Sequence, residues 1–316
     1  MGREVLVAGS LNVDYNLAVE KEPADDGTAR VTGFSVTGGG HGGNCAIALA
    51  GLGCRVSLFS AVGDDPEGVA LRDELERCGV LHEKVVDVAG SVTGRVFIPT
   101  YPDHSGMLMF RGATDQWSSE TCASMPLSDF EAVVLSDPPP AVTQELVARA
   151  VAVGVPVHWT PGGLHASSSW ALELAAQCHQ VFVNQTEFAE MFEVSADPDH
   201  IREACRRHRI PRLVVTLGDR GAMASDGTNV WFTEAPTVTV ADATGAGDAF
   251  TAGFVAAELL GCAWPLPLAW GAAAGSHAVT VSGARDTALS LKWLQATAAA
   301  LCTGVSVTER EKRMMP

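Results

Sequence analysis

The residues best able to do chemistry form a single run, Asp242-Ala243-Thr244-Gly245-Ala246-Gly247-Asp248-Ala249-Phe250, which opens an apolar helix pattern over Asp248–Leu260. N–H groups around Gly245, Ala246 and Gly247, at a helix N-terminus, carry partial positive charge and favour an anion. The same helix end keeps Asp248 ionised, so that it can accept a proton from a hydroxyl. An anion cradle beside a carboxylate is what phosphoryl transfer to an alcohol requires. The cradle holds charge on the moving group, while the carboxylate orients and deprotonates the nucleophile. The plainer reading is an N-cap aspartate after a glycine turn. No Gly-x-x-x-x-Gly-Lys-Ser/Thr run occurs, so any kinase chemistry here is not of the P-loop kind.

A second cluster, Gly38-Gly39-Gly40-His41-Gly42-Gly43-Asn44, precedes an alanine-rich helix pattern over Cys45–Leu52. Glycines before a helix let a ligand approach the backbone. Gly38, Gly40 and Gly43 keep a Gly-x-Gly-x-x-Gly register, which admits an NAD-dependent oxidoreductase as an alternative. That fingerprint belongs directly after the first core strand. Here about thirty residues separate it from Val5–Gly9, and a tight structural turn is the competing reading.

The elements that must position these residues follow an alternating rhythm. Val5–Gly9, Arg55–Ala61, Ala132–Ser136, Val155–Thr160, Val181–Asn184 and Leu213–Leu217 read as strands, several of them apolar on successive positions, as strands covered on both faces must be. Between them lie helical segments with recognisable ends. Asp65-Pro66-Glu67 supplies an N-cap, an N1 proline and an early acid, and Gly79 stops the same segment. The alternation predicts an α/β fold with a mainly parallel sheet between helix layers. Val13–Val36 and Ser91–Arg111 break the rhythm with short β-prone pieces, and read as a small extra sheet, a lid, inserted into the body.

With 21 basic and 37 acidic residues the net charge is 21 − 37 = −16, which argues against extended nucleic-acid or anionic-membrane surfaces. No apolar run approaches the ~20 residues of a membrane-spanning helix. Met1–Leu6 shows neither a signal-peptide nor a myristoylation pattern. The eight cysteines include no Cys-x-x-Cys pair and read as buried hydrophobes of a cytoplasmic chain. No His-Glu-x-x-His spacing occurs among the nine histidines, and His158, His165 and His179 read as structural.

Both glycine clusters, in this order and about two hundred residues apart, resemble the ribokinase-like (PfkB) family of carbohydrate kinases. So do Gly9-Ser10-Leu11-Asn12-Val13-Asp14, Val62-Gly63-Asp64-Asp65 with Gly68, Asn184-Gln185-Thr186-Glu187 and Thr216-Leu217-Gly218-Asp219-Arg220-Gly221-Ala222. The resemblance covers essentially the whole chain. It implies a three-layer α/β/α body (1–14, 37–90 and 112–316) with a β-lid (15–36 and 91–111), and ATP-dependent phosphorylation of a small sugar or sugar-like metabolite. A nucleoside kinase of the same fold is the alternative.

On matching positions, Asp248 is the implied base and Gly245, Ala246 and Gly247 the anion hole. Asn12 and Asp14, two apart on an extended segment and so on one face, hold sugar hydroxyls with Gly40 and Asn44; turn or cap duty is the bland alternative. Asn184 and Glu187 organise Mg2+, water and phosphate, or else form an N-cap and an exposed helix acid. Thr216 and Gly218 line the nucleotide site, or simply end a strand. Asp242, with carbonyls near Thr244 and in Ser282–Ala284, is a ligand of a K+ site. Lid contacts imply a homodimer.

The chain departs from ribokinases in three places. His41 stands where they carry lysine, Ala243 where threonine is common, and Asp137, in Ser136-Asp137-Pro138-Pro139-Pro140, roughly where a sugar-contacting glutamate is supplied. Arg111, at the end of the second insertion, suits a carboxylate or phosphate on the substrate, or is a solvated edge charge. Tyr101, Phe110 and Trp117 are candidates to cover a ring, with at least two of them expected to be packing residues.

Overall fold

The computed structural model describes residues 4–123, 125–285 and 289–301; the charged, methionine-rich tail over 308–316 lies outside the described residues. The large sheet contains β1 (Glu4–Gly9), β4 (Arg55–Gly63), β5 (Val85–Val88), β8 (Ala132–Ser136), β9 (Val157–Thr160), β10 (Gln180–Asn184), β11 (Leu213–Thr216), β12 (Ala222–Ser225) and β13 (Val230–Thr233). Their order is β13-β12-β11-β10-β9-β8-β1-β4-β5, parallel except where β12 and β13 join antiparallel.

Successive apolar residues in these strands go to opposite cores. Leu6 and Ala8 pack with Val133, Leu135, Val181 and Val183, beneath α3 (Pro140–Val153), α6 (Gln185–Phe192) and α7 (Pro198–His208). Val5, Val7 and Val134 pack on the other face with α1 (His41–Gly51), α8 (Ala246–Leu259), α9 (Leu266–Ala278) and α10 (Leu291–Leu301). Burial on both faces is the physical reason these strands show no polar alternation. The helix α2 (Pro66–Arg77) starts as its sequence requires: the Asp65 side chain accepts from the Gly68 N–H at 2.9 Å and Pro66 takes the first position. The short helices α4 (Gly162–His165) and α5 (Ala171–Ala175) follow β9. No helix among the described residues is long and apolar enough to cross a membrane.

The two irregular segments form a separate four-stranded sheet in the order β3-β2-β6-β7, from β2 (Asn12–Val19), β3 (Val31–Gly39), β6 (Gly94–Thr100) and β7 (Leu108–Phe110). Its strand β2 begins at Asn12, so Asn12 and Asp14 belong to the small sheet itself. In the pairing register Asn12, Asp14 and Asn16 share a face with Thr37, Val96, Ile98 and Met109. Tyr15, Leu17, Phe34, Val36, Phe97, Leu108 and Phe110 take the other. The Tyr15 hydroxyl donates to Glu67 Oε1 at 2.5 Å, which ties that other face to α2.

Two helix starts differ from the sequence reading. The first alanine-rich helix begins at His41, which places Gly42 and Gly43 inside its first turn. The second begins at Ala246, with Gly245 as N-cap and Asp248 third in the helix. Gly42, Gly43 and Gly245 are close-packed rather than loop-like, so a compact first turn can start earlier than glycine propensity suggests.

The parallel strands align their carboxyl ends on one edge, and β1 is where the strand order reverses, with β4 on one side and β8 on the other. Gly9, Ser136, Asn184 and Thr216 are the last residues of β1, β8, β10 and β11 and share that edge. A crevice at such a reversal is where doubly wound sheets bind ligands.

Candidate active site

The first turn of α8 closes this crevice. Gly245 caps it at φ +78°, where a side chain would also overlap the carbonyl of Ala284. The first-turn N–H groups of any helix have no acceptor within the helix, and that of Ala246 reaches only the Ala243 carbonyl at 3.4 Å. Asp248, 6% exposed, is held through both carboxylate oxygens: Asn44 Nδ2 donates to Oδ2 at 2.9 Å, and His41 Nδ1 stands 2.9 Å from Oδ1. The charge of Asp248 draws the His41 pKa up, to about 10, against the cost of burial. The pairing favours the imidazolium form, although the side chain is 53% exposed and water screens the pair.

The glycine cluster that imitates a dinucleotide fingerprint does another job. Gly38 and Gly39 end the antiparallel strand β3, and Gly40 turns at φ +91° against the backbone of Ser10 and Asn12. The His41 N–H donates to Ser10 Oγ at 3.0 Å and the Gly43 N–H to the Ser10 carbonyl at 3.1 Å. The cluster packs β3 onto the end of β1 and delivers Asn44 and His41 to Asp248.

The small sheet supplies the opposite wall. Asn12 is 4% exposed and its Oδ1 accepts from Thr114 Oγ1 at 3.2 Å. Asp14 is 5% exposed, and burial raises its pKa to about 6, with the charges of Arg285 and His41 pulling it back down. Asp137 follows β8 in a left-handed conformation (φ 61°), a strained position for a residue with a side chain. Burial pushes its pKa up, but His165 and Arg111 hold its carboxyl below the ordinary range. Its Oδ1 is buried without a hydrogen bond, 3.3 Å from His165 Nε2.

Arg111 is not a solvated edge charge: its side chain is 12% exposed and its guanidinium is engaged, to Asp137 Oδ2 and Asp115 Oδ1 at 2.6 Å each and to the Asp137 carbonyl at 3.3 Å. Nor do the ring candidates cover the site. Trp117 is buried edge-on against Phe59, Tyr101 stacks on His104, and Phe110 lies on the outer face of the small sheet.

Asn184 and Glu187 form a reciprocal capping box on α6. Asn184 Oδ1 accepts from the N–H groups of Thr186 and Glu187 at 2.8 and 2.9 Å, and Glu187 Oε2 accepts from the Asn184 N–H at 2.9 Å. Burial raises the pKa of Glu187. Thr216 and Gly218 line a cavity of about 600 Å³ that runs to Gly247 and is walled mainly by apolar groups such as Val240, Phe250 and Ala272. Asp242 staples two loops: Oδ1 accepts from the Thr244 N–H at 2.9 Å and Oδ2 from the Gly283 N–H at 3.0 Å. Burial pushes its pKa up, but these amides hold it below the ordinary range.

Two participants escaped sequence reasoning. Arg285 reaches into the site from 241 residues beyond Asn44, and no spacing pattern signals it. The partnership of His41 with Asp248 spans 207 residues, and only the oddity of a histidine inside a glycine cluster pointed to it.

Comparison with known proteins agrees with this geometry. The model of the pfkB family of carbohydrate kinases matches residues 3–291. The chain is 31% identical to an ATP-dependent ribose-1-phosphate kinase of Halopiger xanaduensis, over 81% of this chain and 84% of that one. It is 30% identical to a nucleoside kinase of Methanothermobacter thermautotrophicus, over 82% and 84%. The structure of Arabidopsis thaliana ribokinase, complexed with ribose and ATP, superposes with a TM-score of 0.84 at 24% identity, covering 94% of this chain and 99% of that one. The fold is thus that of the ribokinases. The chain belongs to the PfkB family of carbohydrate kinases, phosphotransferases that use ATP, and it phosphorylates a small sugar or nucleoside. The oxidoreductase alternative falls with this family, and its glycines are spread over the end of β3 (Gly38), the turn after it (Gly40) and the first turn of α1 (Gly43) rather than following the first core strand.

Asp14 generates a pH prediction. An acid whose pKa is raised on folding contributes most to stability below its ordinary value, 3.8, and that contribution is lost as the pH rises through about 6. If Asp14 holds acceptor hydroxyls, acceptor binding runs the opposite way, since the ionised carboxylate is the stronger acceptor on both oxygens. The KM for the acceptor is expected to climb as the pH falls through about 6, approaching tenfold per unit, with a flat profile in Asp14→Asn. A natural chain whose acceptor KM stays level across that range removes Asp14 from the acceptor site.

Proposed function

We propose that the chain transfers the γ-phosphoryl group of ATP to a hydroxyl of a pentose-like acceptor held between the small sheet and α8, with Asp248 taking the hydroxyl proton. The observation that carries this reading is the position of Asp248, buried in the first turn of α8 between the cavity that ends at Gly247 and the sheet face bearing Asn12 and Asp14. As the acceptor oxygen bonds to phosphorus and the bond to ADP breaks, the proton passes to Asp248. The amides of Gly245, Ala246 and Gly247 meet the charge on the moving group. Asn12, Asp14, Gly40 and Asn44 orient the acceptor. The pair Arg111 and Asp137 borders it as a neutralised unit, with Asp137 Oδ1 beside His165 and not hydrogen-bonded. Asn184, Thr216 and Gly218 border the nucleotide, and the small sheet excludes water as a lid over 15–36 and 91–111. The need for ATP supports a cytoplasmic setting.

The residues present fit two cations. Glu187 is a half-buried acid with one carboxylate oxygen outside the cap, and its raised pKa is what a neighbouring cation reverses. With Asn184 it would hold Mg2+, which supplies neutralisation of phosphate charge. Asp242, whose carboxylate accepts from two loop amides, suits, with the loop carbonyls near Thr244 and in Ser282–Ala284, a singly charged ion such as K+.

A nucleoside acceptor is the second reading. Val96, Ile98 and Met109 line up on the same face as Asp14, and Met109 is 44% exposed. An apolar stripe of this kind suits a base better than a bare sugar. On the opposite face Phe34, Val36, Leu108 and Phe110 are each at least half exposed, which supports a homodimer formed through the lid.

Asp248→Asn is expected to fold and to lose ~10²–10⁴-fold in turnover. Turnover near that of the natural chain, on the best acceptor from a panel of pentoses, hexoses, sugar acids and nucleosides, overturns its role. Activity should be higher in K+ than in Na+ at equal ionic strength; equal rates remove the monovalent site. Sedimentation should show a dimer that Phe110→Glu splits, and a monomeric natural chain ends the lid-contact reading.

A further inference from the structure

The least expected residue at the site is Arg285, in the segment after α9. Its side chain is 5% exposed, and every edge of its guanidinium is engaged. Nε donates to Asn44 Oδ1 at 3.2 Å, Nη2 donates to the Gly39 carbonyl at 2.7 Å, and Nη1 pairs with Glu74 of α2. The space it fills exists because residues 38 and 43 are glycines, where a Cβ would run into it.

The contact with Asn44 has a direction. A guanidinium carries donors only, so the amide oxygen of Asn44, and not its NH2, must face it. The NH2 then points the other way, to Asp248 Oδ2 at 2.9 Å. Turned over, the amide would set its oxygen against the Asp248 carboxylate and its NH2 against the guanidinium, two repulsive contacts in a buried place. Arg285 thus leaves Asn44 one orientation, and that orientation directs a donor at one oxygen of Asp248 while His41 occupies the other. Glu74 offsets the burial of the guanidinium, and the Gly39 carbonyl ties it to the last residue of β3, which is the strand that joins the small sheet to α1.

We propose that Arg285 is a positioning residue for phosphoryl transfer: through Asn44 it sets the orientation of Asp248. The inference rests on Asp248 as the base. Its own content is the coupling between Arg285 and Asn44.

The test is a double-mutant cycle on the full chain with ATP, Mg2+ and the best acceptor. Arg285→Lys keeps the charge that Glu74 requires but cannot reach three acceptors. It is expected to lower kcat by about 10- to 100-fold and to leave the KM for ATP unchanged. In an Asn44→Ala background the same change should cost little more, because the route through Asn44 is already cut. Equal losses in the two backgrounds, or a KM for ATP that moves with kcat, overturn the proposal in favour of a merely structural arginine. If Arg285→Lys melts far below the natural chain, Arg285→Gln with Glu74→Gln, which removes both buried charges, takes its place in the same cycle with the same criteria. Failure of the base reading shows separately, as undiminished turnover in Asp248→Asn.

Discussion

A carboxylate buried in the first turn of a helix has to be met by donors on both oxygens, and most of this structure is arranged around meeting Asp248. Its two donors, His41 and Asn44, come from the start of α1. That start is seated on the end of β1 by Ser10, and the helix stays there because Gly40 can turn where no side chain would fit. The same peptides end β3, so the small sheet cannot move without pulling on the donors of the carboxylate. Asp248 therefore couples three units that are far apart in sequence: the helix carrying it, the glycine cluster, and the sheet bearing Asn12 and Asp14.

This coupling separates what the sequence discloses from what it does not. The body was legible because one local rule applied at each strand. Val5 and Val7 go to one core while Leu6 and Ala8 go to the other, and burial on both faces shows directly as an unbroken apolar run. The start of α2 was legible for an equally local reason, since cap, proline and acid all lie within four residues. The small sheet was half legible. Its β-prone composition was visible, but its register joins β2 to β6 across the whole of α1, β4 and α2, and nothing in either strand specifies that partner.

At the site the division is sharper. The run from Asp242 to Asp248 is read easily because cradle and carboxylate are contiguous. The partners that give Asp248 its state are not, and a glycine cluster looks the same whether it holds a phosphate or packs against a strand. Only the backbone path shows that Gly38 and Gly39 end an antiparallel strand. The partners of Arg111 were hidden for a related reason. A guanidinium is read as free until its carboxylates are located, and Asp137 becomes its partner only once β8 lies beside β1.

The charge pattern of the site follows from the same constraint. Three aspartates face the crevice: Asp248 has His41 beside it, Asp137 has Arg111, and the charge of Arg285 acts on Asp14. Unpaired carboxylates would be too costly to bury there. The match is weakest at Asp14, because Arg285 is shared with Glu74. Accordingly Asp14 has its pKa raised to about 6, whereas Asp137, clasped by Arg111 and His165, has its own lowered. Pairing of this kind uses up the cations near the acceptor, so a polyanion arriving in a chain of net charge −16 finds few basic side chains waiting. What remains uncommitted is the first turn of α8, whose amides carry no formal charge. Unlike a lysine, they cost nothing to leave unpaired before the nucleotide arrives, because water solvates them until then. In so acidic a chain, backbone amides at a helix start are a means of meeting phosphate that adds no further basic side chain among these carboxylates.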